Sequence, residues 1–212
     1  FFGQGRKDLA FLQVSDALHV LYEDEHILVA YKEAGILSQK DQSGIQDNMN
    51  DRLLHYLYRT HSYDPALEHS FVPAFAHRLD RNTEGIMIAG KNVQALRCLN
   101  EQLKAHRVKK YYLALVQGHM DRKSDDLKLY HRKDRMLNRA ELYDKEIAGA
   151  TLIHTSYRVR KEWKDFSLLE VELHTGKSHQ IRATFAKLGH PLLGDHKYQA
   201  SLNWKHPHQA LC

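Results

Sequence analysis

Three strand-like runs in the second half of the chain constrain its fold more than anything else in the sequence. Val108 to Gln117, Thr151 to Arg160 and Phe166 to His174 are rich in Tyr, Val, Leu and Thr, the residues that pack best on a pleated surface. Lys164-Asp165 turns the last two runs into a hairpin. Within Lys110-Tyr111-Tyr112-Leu113-Ala114-Leu115-Val116-Gln117-Gly118, period-two alternation puts Tyr112, Ala114 and Val116 on one face and Tyr111 on the other. A second hairpin is expected from Leu18–Tyr22 and Ile27–Lys32 across the charged turn Glu23-Asp24-Glu25-His26. Gly35 to Gly44 reads as loop. The spacing of Met49, Leu53, Tyr56 and Leu57 then predicts a helix within Ile45–His61, and Leu96, Leu99 and Leu103 predict one that Asn92 caps and that runs through Ala105. Helices segregated from several antiparallel strands give an α+β fold.

At 212 residues, 42% hydrophobic and 27% charged, the chain can bury a full core and is expected to form one domain. Residues 1–17 read as an N-terminal lead-in and 18–212 as the main domain. The chain starts Phe1-Phe2-Gly3 and stops at Ala210-Leu211-Cys212, which reads as the beginning of another apolar segment, so a fragment truncated at its C-terminus is expected. A net charge of +5 permits a polyanionic partner without requiring one. Cys98 and Cys212 form no Cys-x-x-Cys pair, which argues against a disulfide framework and a cysteine zinc site and suits a reducing cytoplasm. Neither a bilayer-spanning apolar run nor a signal peptide is visible, and no membrane association is expected.

Residues 77 to 91 read His-Arg-Leu-Asp-Arg-Asn-Thr-Glu-Gly-Ile-Met-Ile-Ala-Gly-Lys. One carboxylate, Asp80, lies between Arg78 and Arg81 at the mouth of an apolar strand, and neighbouring positive charge favours its ionised form. Gly85 lets the chain turn into Ile86-Met87-Ile88-Ala89. Taken alone, Arg-Leu-Asp-Arg is more readily a surface ion pair.

Two further segments change that weighting. One is the tyrosine run at Lys110–Gly118. The other is Thr175-Gly176-Lys177-Ser178-His179-Gln180-Ile181-Arg182 followed by Leu188-Gly189-His190-Pro191-Leu192-Leu193-Gly194-Asp195. In this order the three resemble the RluA-type RNA pseudouridine synthases, and Val20 to Val29 resembles that family's opening strand pair. A member would usually carry Lys-Pro where this chain has Lys32-Glu33, a departure that touches a turn. The S4 RNA-binding domain many members carry has no counterpart in these residues.

The resemblance implies a mixed, mainly antiparallel central sheet with an RNA cleft across it, a catalytic domain over 18–212, and isomerisation of uridine to pseudouridine. Asp80 would be the catalytic carboxylate. Arg78 would fill the stack vacated by a flipped nucleotide or grip its phosphate, and Tyr112 would stack on the base. Arg182, one turn into a helix that Ser178 caps and Gly189 ends, would pair with Asp80. Lys110, Lys177 and His179 are expected to contact RNA phosphates or to lie on the surface. Ribosomal RNA is the preferred substrate, with tRNA the alternative, and a cytoplasmic monomer is expected.

The stretch Asp121–Asp144, with Arg122, Lys123, Lys128, Arg132, Lys133, Arg135 and Arg139, reads as an exposed insertion able to lie along phosphates or simply a solvated loop. His206-Pro207-His208 and the pair His174 and His179 come nearest to metal-ligand spacing, but three or four converging donors are not evident, so no metal is expected. No glycine-rich phosphate loop is present, so no nucleotide cofactor is expected either. The rival readings are a non-catalytic RNA-binding module, which has no use for an acid in a positive cleft, and a glycoside hydrolase, which needs a second carboxylate; Glu84 and Asp195 are assigned to loop structure.

Overall fold

The structure, a computed structural model, describes residues 9–41, 47–68, 70–134, 136–201 and 204–212. Residues 1–8 of the expected lead-in, Gly44 and Ile45 at the expected loop-to-helix boundary, and Arg135 of the basic stretch lie outside the described residues. The fold is α+β, as the sequence predicts, and its strands form two antiparallel sheets. The chain divides into two compact units, Phe1–Ala105 and His106–Cys212.

The first unit holds β1 (His19–Glu23), β2 (Ile27–Lys32), β3 (Ala74–Phe75) and β4 (Gly85–Gly90) in the order β1-β2-β4-β3. Its first hairpin closes on Asp24, whose Oδ1 accepts from the amides of His26 (2.8 Å) and Ile27 (2.7 Å), so an acid does what Asn-Gly does elsewhere. Alternation buries Leu28 and Ala30 on β2 and Met87 and Ala89 on β4, and Leu53 and Leu57 are buried on α1 (Met49–Arg59). That helix starts at Met49, because the extended Asn48 accepts from the Asp51 amide and closes the first turn there. Asn92 caps α2 (Val93–Lys104) in the same way, as expected. Gly90 admits this helix at close range: a Cβ there would stand 2.6 Å from Leu96.

The second unit holds β5 (Tyr111–Gln117), β6 (Ser124–Asp134), β7 (Arg139–Tyr143), β8 (Thr151–Glu162) and β9 (Phe166–Leu173) in the order β5-β9-β8-β6-β7. Its core gathers Ala114, Val116, Leu169, Val171, Phe185 and Leu192. The outer edge of β5 is not open, since Leu113 and Cys212 exchange backbone hydrogen bonds and Leu193 donates to the Leu115 carbonyl.

One expectation is corrected here. The Asp121–Asp144 stretch is no insertion lying outside the sheet: β6 pairs with both β7 and β8, and Leu129, His131 and Ala140 are buried. Charged Asp126, Lys128 and Arg132 occupy alternate, outward positions of β6, and they conceal the period-two pattern from a reading by composition.

Candidate active site

Asp80 belongs to the first unit, where it lies half-buried on the loop between β3 and β4. That loop is clamped from below. Ser38 Oγ donates to the Leu79 carbonyl (2.7 Å) and accepts from the Leu79 amide (3.0 Å), and the Gly35 amide donates to the Arg81 carbonyl (2.9 Å). Lys32, fully buried at the end of β2, donates from Nζ to the carbonyls of Thr83 (2.7 Å), Arg81 (2.8 Å) and Glu33 (3.1 Å). Burial pushes its ammonium down from 10.5 to about 8, while the negative charges of Asp80 and Glu84 act in the opposite direction. An ammonium is thus built in beneath the acid's own loop.

Lys32 was legible as an anomaly, because it occupies the inward position of the Leu28, Ala30, Lys32 alternation, where lysine is seldom tolerated without partners. Arg78 and Arg81 are exposed, and Arg81 Nε donates to the Gly35 carbonyl (3.0 Å). Gly85, at φ 139°, makes the turn into β4.

In the second unit, Tyr112 is half-buried and packs against the core, facing the same way as its register partner Val171, while Tyr111 is 53% exposed on the opposite face. Arg182 sits in α3 (Gln180–Lys187) and is buried. Its Nε donates to Asp195 Oδ2 (2.6 Å) and its Nη2 to Asp195 Oδ1 (2.8 Å), a two-pronged pair with Asp195 only 1% exposed. Asp195 is therefore much more than a loop residue. Gly194, just before Asp195, lets the chain around Trp204 and His208 pass at close range, since a Cβ there would stand 2.5 Å from the His208 carbonyl oxygen. The Arg182 guanidinium also lies 5.3 Å from the centre of the Tyr198 ring, and Arg139 lies 4.7 Å from it. Tyr198 in turn accepts from the Ala140 amide (2.7 Å).

The helix start differs from expectation. Ser178 does not cap α3; His179 holds the cap position in the left-handed region, with φ 57°. The buried Gln180 organises this turn instead, accepting from the Lys177 amide (3.0 Å) and donating to the Thr155 hydroxyl (2.9 Å) and His154 carbonyl (3.1 Å). Gly189, at φ 85°, follows the helix end as predicted. Lys177 is exposed, and His179 Nδ1 lies 3.2 Å from the Tyr198 hydroxyl. Lys110 Nζ lies over the same turn, 3.2 Å from where a Cβ on Gly176 would be, and burial lowers its pKa. Among the described residues, Asp126, His154 and His174 bring donor atoms together for a metal ion, so His174 joins these two rather than His179.

Residues 26–187, which include the Asp80 loop, β5 and α3, match the family model of RNA pseudouridylate synthases. An uncharacterized RNA pseudouridine synthase from Mycoplasma pneumoniae is 37% identical over 205 residues, covering 94% of this chain and 62% of that protein. The ribosomal large subunit pseudouridine synthase D of Xylella fastidiosa is 35% identical over 185 residues, covering 87% of this chain and 53% of that protein. The chain thus spans about half to three-fifths of these relatives' length. Human RNA pseudouridylate synthase domain containing 1 shares the fold, with a TM-score of 0.74 at 19% identity over 92% of this chain and 76% of that one.

Proposed function

This chain belongs to the RNA pseudouridylate synthase family, and from that premise we propose that it isomerises specific uridines in structured RNA to pseudouridine. The observation that carries the reading is the Asp80 loop, which holds a half-buried carboxylate over a buried lysine and anchors both backbone neighbours of that acid. An RNA-binding module gains nothing from a fixed acid in a basic chain. An isomerase depends on one.

The reaction breaks the N1–C1′ bond of uridine, turns the base, and joins C5 to C1′; the C5 hydrogen leaves as a proton and N1 gains one. Asp80 is assigned the carboxylate role, whether by adding to C1′, adding to C6, or removing a sugar proton. The nucleotide must first leave its stack, at a cost of a few kcal/mol. To Tyr112 we assign stacking on the base and a part in moving the C5 proton, and to Arg182 the countercharge for the aspartate. Arg78, Lys110, Lys177 and His179 are assigned to the RNA backbone. No cofactor enters the scheme.

Large-subunit ribosomal RNA is the proposed substrate, on the strength of relatives with that name, and tRNA is the second choice. The test is tritium release from RNA carrying [5-³H]uridine, with tRNA and intact ribosomal subunits as separate substrates. It is run on this chain and on any longer form that carries it. Release by the native protein and none by Asp80→Asn, with RNA binding retained, is expected. Binding without release from any RNA would leave the non-catalytic module standing in its place.

A further inference from the structure

We propose that Asp126, His154 and His174 form a binding site for a divalent transition-metal ion of the zinc type on the outer face of the second unit's sheet. This inference does not rest on the isomerase reading. Antiparallel register creates it: Asp126 of β6 faces Ser156 of β8, and Ser156 faces Glu172 of β9. Directly paired residues project from the same face, and so do residues two apart on a strand. His154, two before Ser156, and His174, two after Glu172, therefore join Asp126 on the face opposite the buried core.

The donor atoms already converge. His154 Nε2 lies 2.6 Å from Asp126 Oδ1, and one ligand atom from each of the three residues lies within 4.8 Å of the others. Ser156 Oγ stands between, 2.6 Å from Asp126 Oδ1 and 2.7 Å from His174 Nε2. Two imidazoles and one carboxylate make a three-ligand set that leaves a position for water, and this nitrogen-rich set favours zinc, cobalt, nickel or copper over magnesium or calcium. The histidines are half-buried and the aspartate exposed, so an ion can enter from solvent.

Binding requires a definite rearrangement. The two rings are stacked, with centroids 4.0 Å apart and planes at 22°, and two nearly parallel rings cannot both aim an in-plane lone pair at one ion. One ring must swing out of the stack. The 2.6 Å His154–Asp126 contact must also open toward the edge of a tetrahedral site, about 3.4 Å. Ser156 keeps its hydrogen bond to the carboxylate and orients it, as partners behind metal ligands do. Lys128, the register partner of His154, adds a positive charge beside the site and limits its affinity.

The test titrates the full chain, free of any affinity tag, with zinc and cobalt against a chromophoric chelator, and follows the cobalt d–d spectrum. One equivalent bound with a four-coordinate spectrum is expected, along with a metal-dependent rise in melting temperature. His154→Ala and His174→Ala should each remove that equivalent. Ser156→Ala should weaken it about 10- to 100-fold, and the double variant His206→Ala/His208→Ala should leave it intact. Asp126→Asn, nearly isosteric, covers the case of a histidine variant that fails to fold. No saturable binding, or binding that persists when Asp126 and either histidine are changed, overturns the proposal.

Discussion

Arg182 and Asp195 form a two-pronged buried ion pair at 2.6 and 2.8 Å, thirteen residues apart in the chain and closed over the face of Tyr198. Two nearly inaccessible charges compensate each other in the folded state. Asp195 thus helps to fix where the guanidinium lies.

Replacing Asp195 with alanine removes the two-pronged partner of a buried guanidinium, and the expected loss of unfolding free energy is about 3 to 5 kcal/mol in urea denaturation. Asp195→Asn should lose less, because the amide fills the same volume and still accepts one bond. Arg182→Lys should also lose stability in the native background, since a point charge cannot reproduce the two-pronged geometry. A loss below about 1 kcal/mol for Asp195→Ala would show the pair to be dispensable.

The sequence exposed what local pattern encodes and hid what register encodes. The β5 alternation, the Asn92 cap and the Gly189 stop are written in neighbouring residues, and the structure has them as read. Strands β6 and β7 were masked because their outward positions are charged, which makes composition resemble a loop. Ser178 looked like a cap only because Gln180's long reach from inside the helix is invisible to capping rules. The Arg182–Asp195 pair and the Asp126–His154–His174 group depend on residues brought together by chain reversal and sheet pairing, so no spacing rule announces them.

Lys32 should make stability rise with alkalinity. Its folded pKa, about 8, is below the ordinary 10.5, so between those values the unfolded chain holds a proton that the folded chain has released. Stability then increases with pH across that window, by roughly 3 kcal/mol at 1.36 kcal/mol per pH unit, and the penalty for a buried ammonium is fully present below pH 8. Lys32→Met retains the stem and removes the titration. Denaturation at several pH values from 7 to 11 should show the rise in the native chain and not in the variant; parallel curves would contradict it.

Tyr112→Phe separates packing from chemistry. The ring's contacts with the core survive the change, so stability should shift by no more than about 1 kcal/mol. If the hydroxyl carries the C5 proton, tritium release should slow by about 10²- to 10⁴-fold at saturating RNA. Equal turnover in the two proteins would reduce Tyr112 to a core tyrosine that happens to lie on β5.

Arg78 and Lys177 are both exposed, and each is assigned to an RNA phosphate. A phosphate contact has a signature that a general loss of fold does not: it releases a condensed counterion. Removing one such contact should flatten the plot of log affinity against log salt by about 0.7 to 0.9, according to whether the strand is single or paired. Arg78→Ala and Lys177→Ala should each do so, and the double variant should show the sum if the two residues meet separate phosphates, as assigned. Lys104, exposed at the end of α2 and given no role in RNA binding, supplies the control. Affinity that falls in the two variants with no change of slope would assign them to the fold of the RNA-binding surface, and a slope that falls equally in Lys104→Ala would reduce all three to diffuse positive charge.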